Sequence, residues 1–464
     1  MEVVTMAEQG CSTLAGDDGR ILDRLIGLEK VIPADLVTRV LQETGRVNGR
    51  ACKLTHEVMM WVVLAMGLLT HLPIRQVFRH ARRMRKDEKA PPRSSLCEGR
   101  HRLGIEPVQK LHAEVVRPLA TPDTPGAFYR QWRLIGCDST VMDVPDSEAN
   151  ASFGRASGGR GDGAFPQVRK ASLVELGTHV EIAIAIGGWH DDERTLARTL
   201  WNQIPNDAIL LEDRGFFCYD DWKALHSRMK LLVRVQSHMV LKPIQQLSDG
   251  SYLAKIYPSN YYRERDLHGI VVRVIEYTLD DPQRTGHGVT HRLITNLLDE
   301  TEAPAVELIM LYHERWEEEL VFDEQKTHQD PQRAEKPAQV RSETPDGVRQ
   351  ELYALSLGHF VIRALMFEAA RPAKLDVDRL SFIGCLRILQ CRLPECASRT
   401  TASLNDWYEA LLAEICDEQL EPRRNRINPR VIKRKMSKWD KKRPEHKRIK
   451  PLTKTFRETI LMKT

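Results

Sequence analysis

A change of hydrophobic period near residue 130 limits what this chain can fold into. Between about residues 20 and 118, the stretches ILDRLIGLEKVI, PADLVTRVLQET, HEVMMWVVLAMGLLTHL and EPVQKLHAEVVRPLA space apolar residues three and four apart. That is the pattern of helices with one buried face. Pro33 stands where a helix accepts proline, in its first turn. TPDTPG at 121–126 breaks the pattern, and β-rich runs follow: WRLIGCDSTVMDV (132–144), KASLVELG (170–177) and HVEIAIAIGGW (179–189). RTLARTLWNQI (194–204) then reads as helix, DAILLEDRGF (207–216) as strand, DDWKALHSR as helix and MKLLVRVQ (229–236) as strand. This order predicts a mixed α/β core. The pieces YLAKIY, GIVVRVIEYTL and HRLITNLL within 237–300 are β-like too, as an insertion or as part of the core sheet. Helical patterns resume in APAVELIMLYHERWEEELVFDEQK, RQELYALSLGHFVIRALMFEAA and LNDWYEALLAEICDEQ.

Length and composition set the class. A chain of 464 residues has room for two or three domains. The N-terminal stretch MEVVTMAEQGCSTLAGDD lacks the apolar core of a secretory signal. The longest apolar run, Val58 to Leu69, is shorter than the ~20 residues a bilayer requires and reads as a buried helix. Nine cysteines at irregular spacing, with no CxxC pair, fit a reducing cytoplasm rather than a disulfide framework or a zinc site. The net charge of +5 is uneven: Arg423 to Lys450 carries fourteen Lys/Arg against Asp440 and Glu445, a local +12 that leaves −7 for the rest. A second basic cluster, RHARRMRKDEK, spans 79–89 and includes Arg82 and Arg83. Such blocks suit phosphate backbones, although a solvated basic segment has the same composition.

The acidic run at 312–326, YHERWEEELVFDEQK, is the first place to look for chemistry. On an ideal helix of about 100° per residue, Arg315, Glu319 and Lys326 fall within about 60° of Tyr312. Glu317 and Glu318 point elsewhere, and Trp316 lies at the stripe's edge. Asp323 shares the face and competes with Glu319. A surface helix with i,i+4 ion pairs would give the same pattern. Two further carboxylates, Asp138 in GCDST and Asp213 in LLEDRG, end β-rich runs. Carboxylates converging from strand ends and a packed helix supply hard oxygen ligands of the kind Mg²⁺ takes.

The spacing Tyr312-x2-Arg315-x3-Glu319-x6-Lys326 resembles the Y-R-E-K signature of the insertion element 4 family of bacterial DDE transposases. GCDST resembles that family's first aspartate segment, with Ser139 where glycine is usual, and EDRGF resembles its second. FGRASGGRGDGAFPQVR, RSETPDGVRQELYALSLGHFVIRALM and NPRVIKRK extend the similarity over most of the chain. The resemblance implies an α/β fold with a ribonuclease-H-like catalytic core and a β-rich insertion, flanked by helical N-terminal and C-terminal regions. It implies a helical DNA-binding domain at 1–128, a catalytic domain at 129–345 with its insertion at about 237–300, and a helical region with a basic tail at 346–464. Asp138, Asp213 and Glu319 become metal ligands for two Mg²⁺ ions, with Mn²⁺ able to substitute.

The implied reaction is metal-dependent cleavage and strand transfer of double-stranded DNA, from terminal inverted repeats into target DNA, by a homodimer in the bacterial cytoplasm without a membrane partner. Tyr312, Arg315 and Lys326 are implied to hold DNA-end phosphates, and Trp316 to stack on an unstacked base. Arg82 and Arg83, and in the tail Arg430, Lys433, Arg434 and Lys435, are expected DNA contacts. Arg155 and Arg160, in the glycine-rich FGRASGGRGDGAF, are further candidates. Glu212 must face away from Asp213 on an alternating strand and reads as structural. The rival expectation is a transposase relic that only binds DNA.

Overall fold

A computed structural model of the chain describes residues 23–48, 52–82, 88–158, 161–282, 287–331, 339–398, 401–421 and 454–463. After an eight-residue 3-10 helix, Asp23–Lys30, come helices α1 (Ala34–Glu43), α2 (His56–Leu68), α3 (Ile74–Ala81), α4 (Arg93–Leu103) and α5 (Glu106–Val115). Strands β1 (Trp132–Asp143), β2 (Gln167–Glu175) and β3 (Val180–Gly188) follow, then α6 (Glu193–Arg198) and β4 (Ala208–Glu212). Next are α7 (Tyr219–Leu225), β5 (Lys230–Arg234), β6 (Gln245–Gln246), β7 (Tyr252–Ile256), α8 (Asn260–Glu264), β8 (Ile270–Leu279) and β9 (His291–Thr295). Helices α9 (Ala305–His313), α10 (Glu317–Asp323), α11 (Pro345–Ala370), α12 (Phe382–Arg392) and α13 (Thr401–Asp417) precede a last short strand, β10 (Ile460–Met462). The periodicity reading holds for the α/β order. Pro33 sits one position earlier than expected, as the N-cap of α1.

The chain forms two compact units. The first holds residues up to Ala127 with Asp138–Ile204 and Glu317–Gln419; the second holds Phe128–Cys137, Pro205–Trp316 and Leu420–Thr464.

In the first unit, helix α11 is the core element. It is long and apolar enough to cross a membrane, but 83% of its most apolar window is buried inside the unit. Its start is specified locally: the Thr344 side chain accepts from the Gly347 N–H, and Pro345 opens the first turn. The apolar run read as a buried helix is α2, whose residues from Val58 to Leu68 are all buried. It crosses α11 at two glycines. A Cβ on Gly67 would sit 1.9 Å from the Ala354 carbonyl oxygen, and one on Gly358 would sit 2.9 Å from the Gly67 carbonyl oxygen. The Gln329 amide donates to both Gly67 O (2.8 Å) and Leu355 O (2.9 Å), satisfying two carbonyls at the crossing. Met142, Val144, Phe153 and Val168 pack with Val348, Leu352 and Leu355, seating the end of β1 on α11.

Helix α4 is tied to α11 through polar groups. Arg100, 9% exposed, donates to Gln350 Oε1, Ser342 Oγ and Gly347 O, and pairs with Glu351. Burial pushes the Glu351 carboxyl up, but Arg341 and Arg100 prevail and hold it down at about 2.

The second unit is built on a sheet in the order β1-β4-β5-β9-β8-β7-β6. β4 runs parallel to β1 and to β5, with Cys137 in register with Glu212 and Leu232 with Leu211. β9 joins β5 antiparallel, so the β-rich pieces of 237–300 extend this sheet. β10 pairs with β8 through Tyr277↔Met462 and Leu279↔Ile460. Strand here is a departure from the expected helical region with a basic tail, since three residues of alternating exposure carry no period to read.

Gly67→Ala is expected to destabilise the protein by about 1–3 kcal/mol, because the clash is with backbone that cannot step aside. Denaturant unfolding measures it. Glu351 has a depressed folded-state value, so its contribution is present above the unfolded value near 4.5 and is lost as pH falls toward 2. Glu351→Gln is therefore expected to cost the most above pH 5, on the order of 3 kcal/mol, with the difference from wild type shrinking on acidification in parallel unfolding titrations.

Candidate functional site

Asp213 belongs to the second unit and directly follows strand β4. It is half-buried and accepts a hydrogen bond from the Tyr312 hydroxyl at 3.3 Å. Tyr312, at the end of α9, is only 7% exposed, and burial raises its pKa, with the Asp213 charge adding to the rise. The phenol is therefore a proton donor at any physiological pH. Arg315 lies in a 3-10 turn, Glu314–Trp316, and its guanidinium carbon is 5.9 Å from the Tyr312 ring centre and 5.6 Å from that of Trp316. Arg315 is buried at 6% exposure and Trp316 exposed at 44%, so the indole forms an outer face over the guanidinium. Glu212 is buried, and burial followed by the Asp221 charge pushes its carboxyl up to about 8. That environment suits the structural role expected for it.

In the first unit, Asp138 is half-buried in β1 and accepts from the Ser139 N–H at 2.7 Å. Ser139 donates its hydroxyl to Glu193 on α6 at 2.8 Å, which gives this serine a structural use. Lys326 Nζ donates to Thr140 Oγ1 (3.1 Å) and Val141 O (2.9 Å), and burial, with Lys170 next, lowers its pKa. Its ammonium is thus directed at β1, close in sequence to Asp138.

Glu319 lies half-buried on α10. The single ideal helix expected across 312–326 is not what forms. A 3-10 turn at Glu314–Trp316 precedes α10, and a π-helical segment, Glu324–Gln329, follows it. These windings have about 3.0 and more than 3.6 residues per turn, so angles counted at one period do not carry through. Asp323, placed near Glu319 by that count, is exposed; it accepts from Thr327 Oγ1 at 2.7 Å and lies 3.5 Å from His328.

Glu317, Glu318 and Glu324 face inward. Glu318 is fully buried. Glu317 and Asp378 both meet His179 Nε2, the latter at 3.1 Å, while Arg363 Nη2 donates to His179 Nδ1 at 2.7 Å. Glu324 receives Arg363 and His359, the latter at 2.9 Å. Burial would raise the Glu324 carboxyl, but Arg363 and the two histidines hold it well below the usual range. Donor atoms of His179, Glu317 and Asp378 lie within 4.8 Å of one another, a grouping of metal-site size.

A second buried group joins the π segment to β2 and β3. Lys170, 1% exposed, donates to Glu181 and to Gln325 Oε1, and Gln325 Nε2 donates to Glu181 Oε2 at 2.9 Å. Ser172 donates to the same carboxylate at 2.6 Å. Burial would raise Glu181, yet Lys170 holds it at about 2. None of these residues was singled out from the sequence. The available signal was Lys170 and Glu181 themselves, charges inside otherwise apolar strand runs, which a sheet core tolerates only when paired.

Of the expected DNA contacts, Arg82 pairs with Glu88 at 2.8 Å, and Arg155 donates to the Gly163 and Ala164 carbonyls at 3.2 and 2.7 Å. Arg83, Arg160, Arg430, Lys433, Arg434 and Lys435 lie outside the described residues.

Two family models match the chain: Insertion element 4 transposase N-terminal over residues 23–113, and Transposase DDE domain over residues 133–355. The chain is similar to the transposase InsG for insertion sequence element IS4 of Escherichia coli (strain K12), at 26% identity over 423 residues, 89% of this chain and 93% of that protein. It is also similar to the putative transposase InsZ of the same strain, at 22% identity over 194 residues, 41% of this chain and 63% of that protein.

Since the Trp316 ring is exposed, Trp316→Ala is expected to change stability by less than about 1 kcal/mol, the scale of a solvent-facing cation–π contact. A larger loss in equilibrium unfolding would show that the indole packs as core.

Proposed function

This chain belongs to the insertion element 4 family of DDE transposases, and we propose that it cuts and joins DNA at the terminal inverted repeats of its own insertion sequence. In this reading Asp138, Asp213 and Glu319 hold two Mg²⁺ ions in a ribonuclease-H-like core, with Mn²⁺ able to replace them. The observation that carries it is the ladder between β1 and β4. Cys137 pairs in register with Glu212, and the next residue of each parallel strand is an aspartate. All-oxygen donors suit Mg²⁺.

Bound divalent metal supplies Lewis acidity to the attacking and leaving oxygens of an in-line displacement. The chain's own groups supply the rest. Tyr312, held protonated, keeps a hydrogen bond on one oxygen of Asp213 and limits how that carboxylate turns. Arg315 presents a planar fork suited to phosphate, with the exposed Trp316 ring beside it to receive an unstacked base. Lys326 braces β1 next to Asp138 in the free protein; its role on DNA is charge toward an end phosphate. Cleavage by water leaves a 3′-hydroxyl, which attacks the opposite strand, closes a hairpin and releases the flanking DNA with its own 3′-hydroxyl. A second water opens the hairpin and restores the element's 3′-hydroxyl, which then attacks target DNA and displaces a target 3′-hydroxyl. Pairing two ends calls for a homodimer on DNA, acting in the bacterial cytoplasm.

The test is strand cleavage, with Mg²⁺, of a plasmid carrying the gene and its flanks. Glu319→Ala is expected to reduce nicking at the element ends by about a thousandfold or more, the scale of losing several kcal/mol of charge stabilisation, while end binding persists. Equal nicking by both proteins would remove Glu319 from the site.

A further inference from the structure

We infer that the buried Lys170–Glu181–Gln325 group is a positioning device, which fixes the height and rotation of the Glu319 carboxylate from below. The inference rests on the proposed reading of Glu319 as a metal ligand. A regular helix would set the direction of Glu319 by its winding alone, but here α10 is entered from a 3-10 turn and left through a π segment. Such segments have poorer hydrogen bonding and depend on outside contacts for their shape. Those contacts are polar and directional. Gln325 uses both ends of its amide, its oxygen toward Lys170 and its nitrogen toward Glu181, so the side chain fits the pair in one orientation. Glu317 and Glu324 reach His179 and Arg363 from the same short segment, and Gln329 closes it on Gly67 and Leu355.

Packing energy alone does not account for the arrangement. Apolar residues of similar volume usually serve a core as well as a buried ion pair, or better. What the ion pair adds is a defined geometry. The group also connects outward: Ser356 of α11 hydrogen-bonds to Glu181 and takes part in a 2.9 Å contact with His112 on α5. A line of polar contacts therefore runs from the helical residues matched by the N-terminal family model to the segment that carries Glu319.

The experiment titrates Mn²⁺ alone into the full-length protein and follows binding by electron paramagnetic resonance, with thermal unfolding in parallel. Glu319→Gln should weaken Mn²⁺ binding, and Gln325→Leu should weaken it about tenfold to a hundredfold, as losses behind a metal ligand do. In the Glu319→Gln background, Gln325→Leu should add nothing, because the effect passes through Glu319. Unchanged Mn²⁺ affinity in a folded Gln325→Leu protein, or equal weakening in both backgrounds, overturns the inference. If Gln325→Leu does not fold, the apolar pair Lys170→Met/Glu181→Leu is read by the same two criteria. Should Glu319→Gln itself leave Mn²⁺ binding unchanged, the ligand assignment fails first, and the positioning role falls with it.

Discussion

Lys170, Glu181 and Gln325 lie with almost no access to water, and the first unit is arranged around keeping them satisfied. An ammonium moved from water into a protein interior costs several kcal/mol even after relaxation, so the lysine stays charged only while its acceptors are in place. Glu181 comes from the neighbouring strand of the hairpin, and Gln325 arrives from a segment far along the chain. The fold thus commits strands β2 and β3 to one partner segment, which directly follows the helix that carries Glu319. The same logic governs His179, Glu317, Glu324 and Arg363, where the Arg363 guanidinium and the His179 ring each meet a carboxylate that no local sequence supplies.

Much of the architecture was legible because it follows from period. Strands WRLIGCDSTVMD, QVRKASLVE and VEIAIAIGG were readable as β because branched and apolar residues recur without helical spacing. Asp138 and Asp213 were visible as acids at the ends of such runs. The glutamate-rich stretch was harder, since it was judged on one ideal helix, and its winding changes twice within sixteen residues, from 314 to 329. No residue in the run announces either change; the π segment is held by side chains distant in sequence, among them Lys170 and Glu181. Its acids looked like surface charge because charged helices usually are, and Glu318 is instead buried completely.

The family comparison and the physical reading lean on different parts of the molecule. The first includes the resemblance read from Tyr312, Arg315, Glu319 and Lys326 as a spaced set. The second finds that these four have unlike surroundings: a phenol on Asp213, a guanidinium between two rings, a half-buried acid and an ammonium on β1. A signature written as four letters thus resolves into four separate environments, each set by the element that carries it.

Strand β10 has a consequence for synthesis. Its partner β8 leaves the ribosome some 180 residues earlier, since Leu279 pairs with Ile460. At about 5–20 residues per second, roughly ten to forty seconds pass before that partner is made. Throughout this interval the Tyr277–Leu279 end of β8 presents unpaired backbone, the kind of edge on which chains join one another. Two nascent copies on one message would carry the same open edge, so the time needed to finish translation is itself a period of exposure to misassembly.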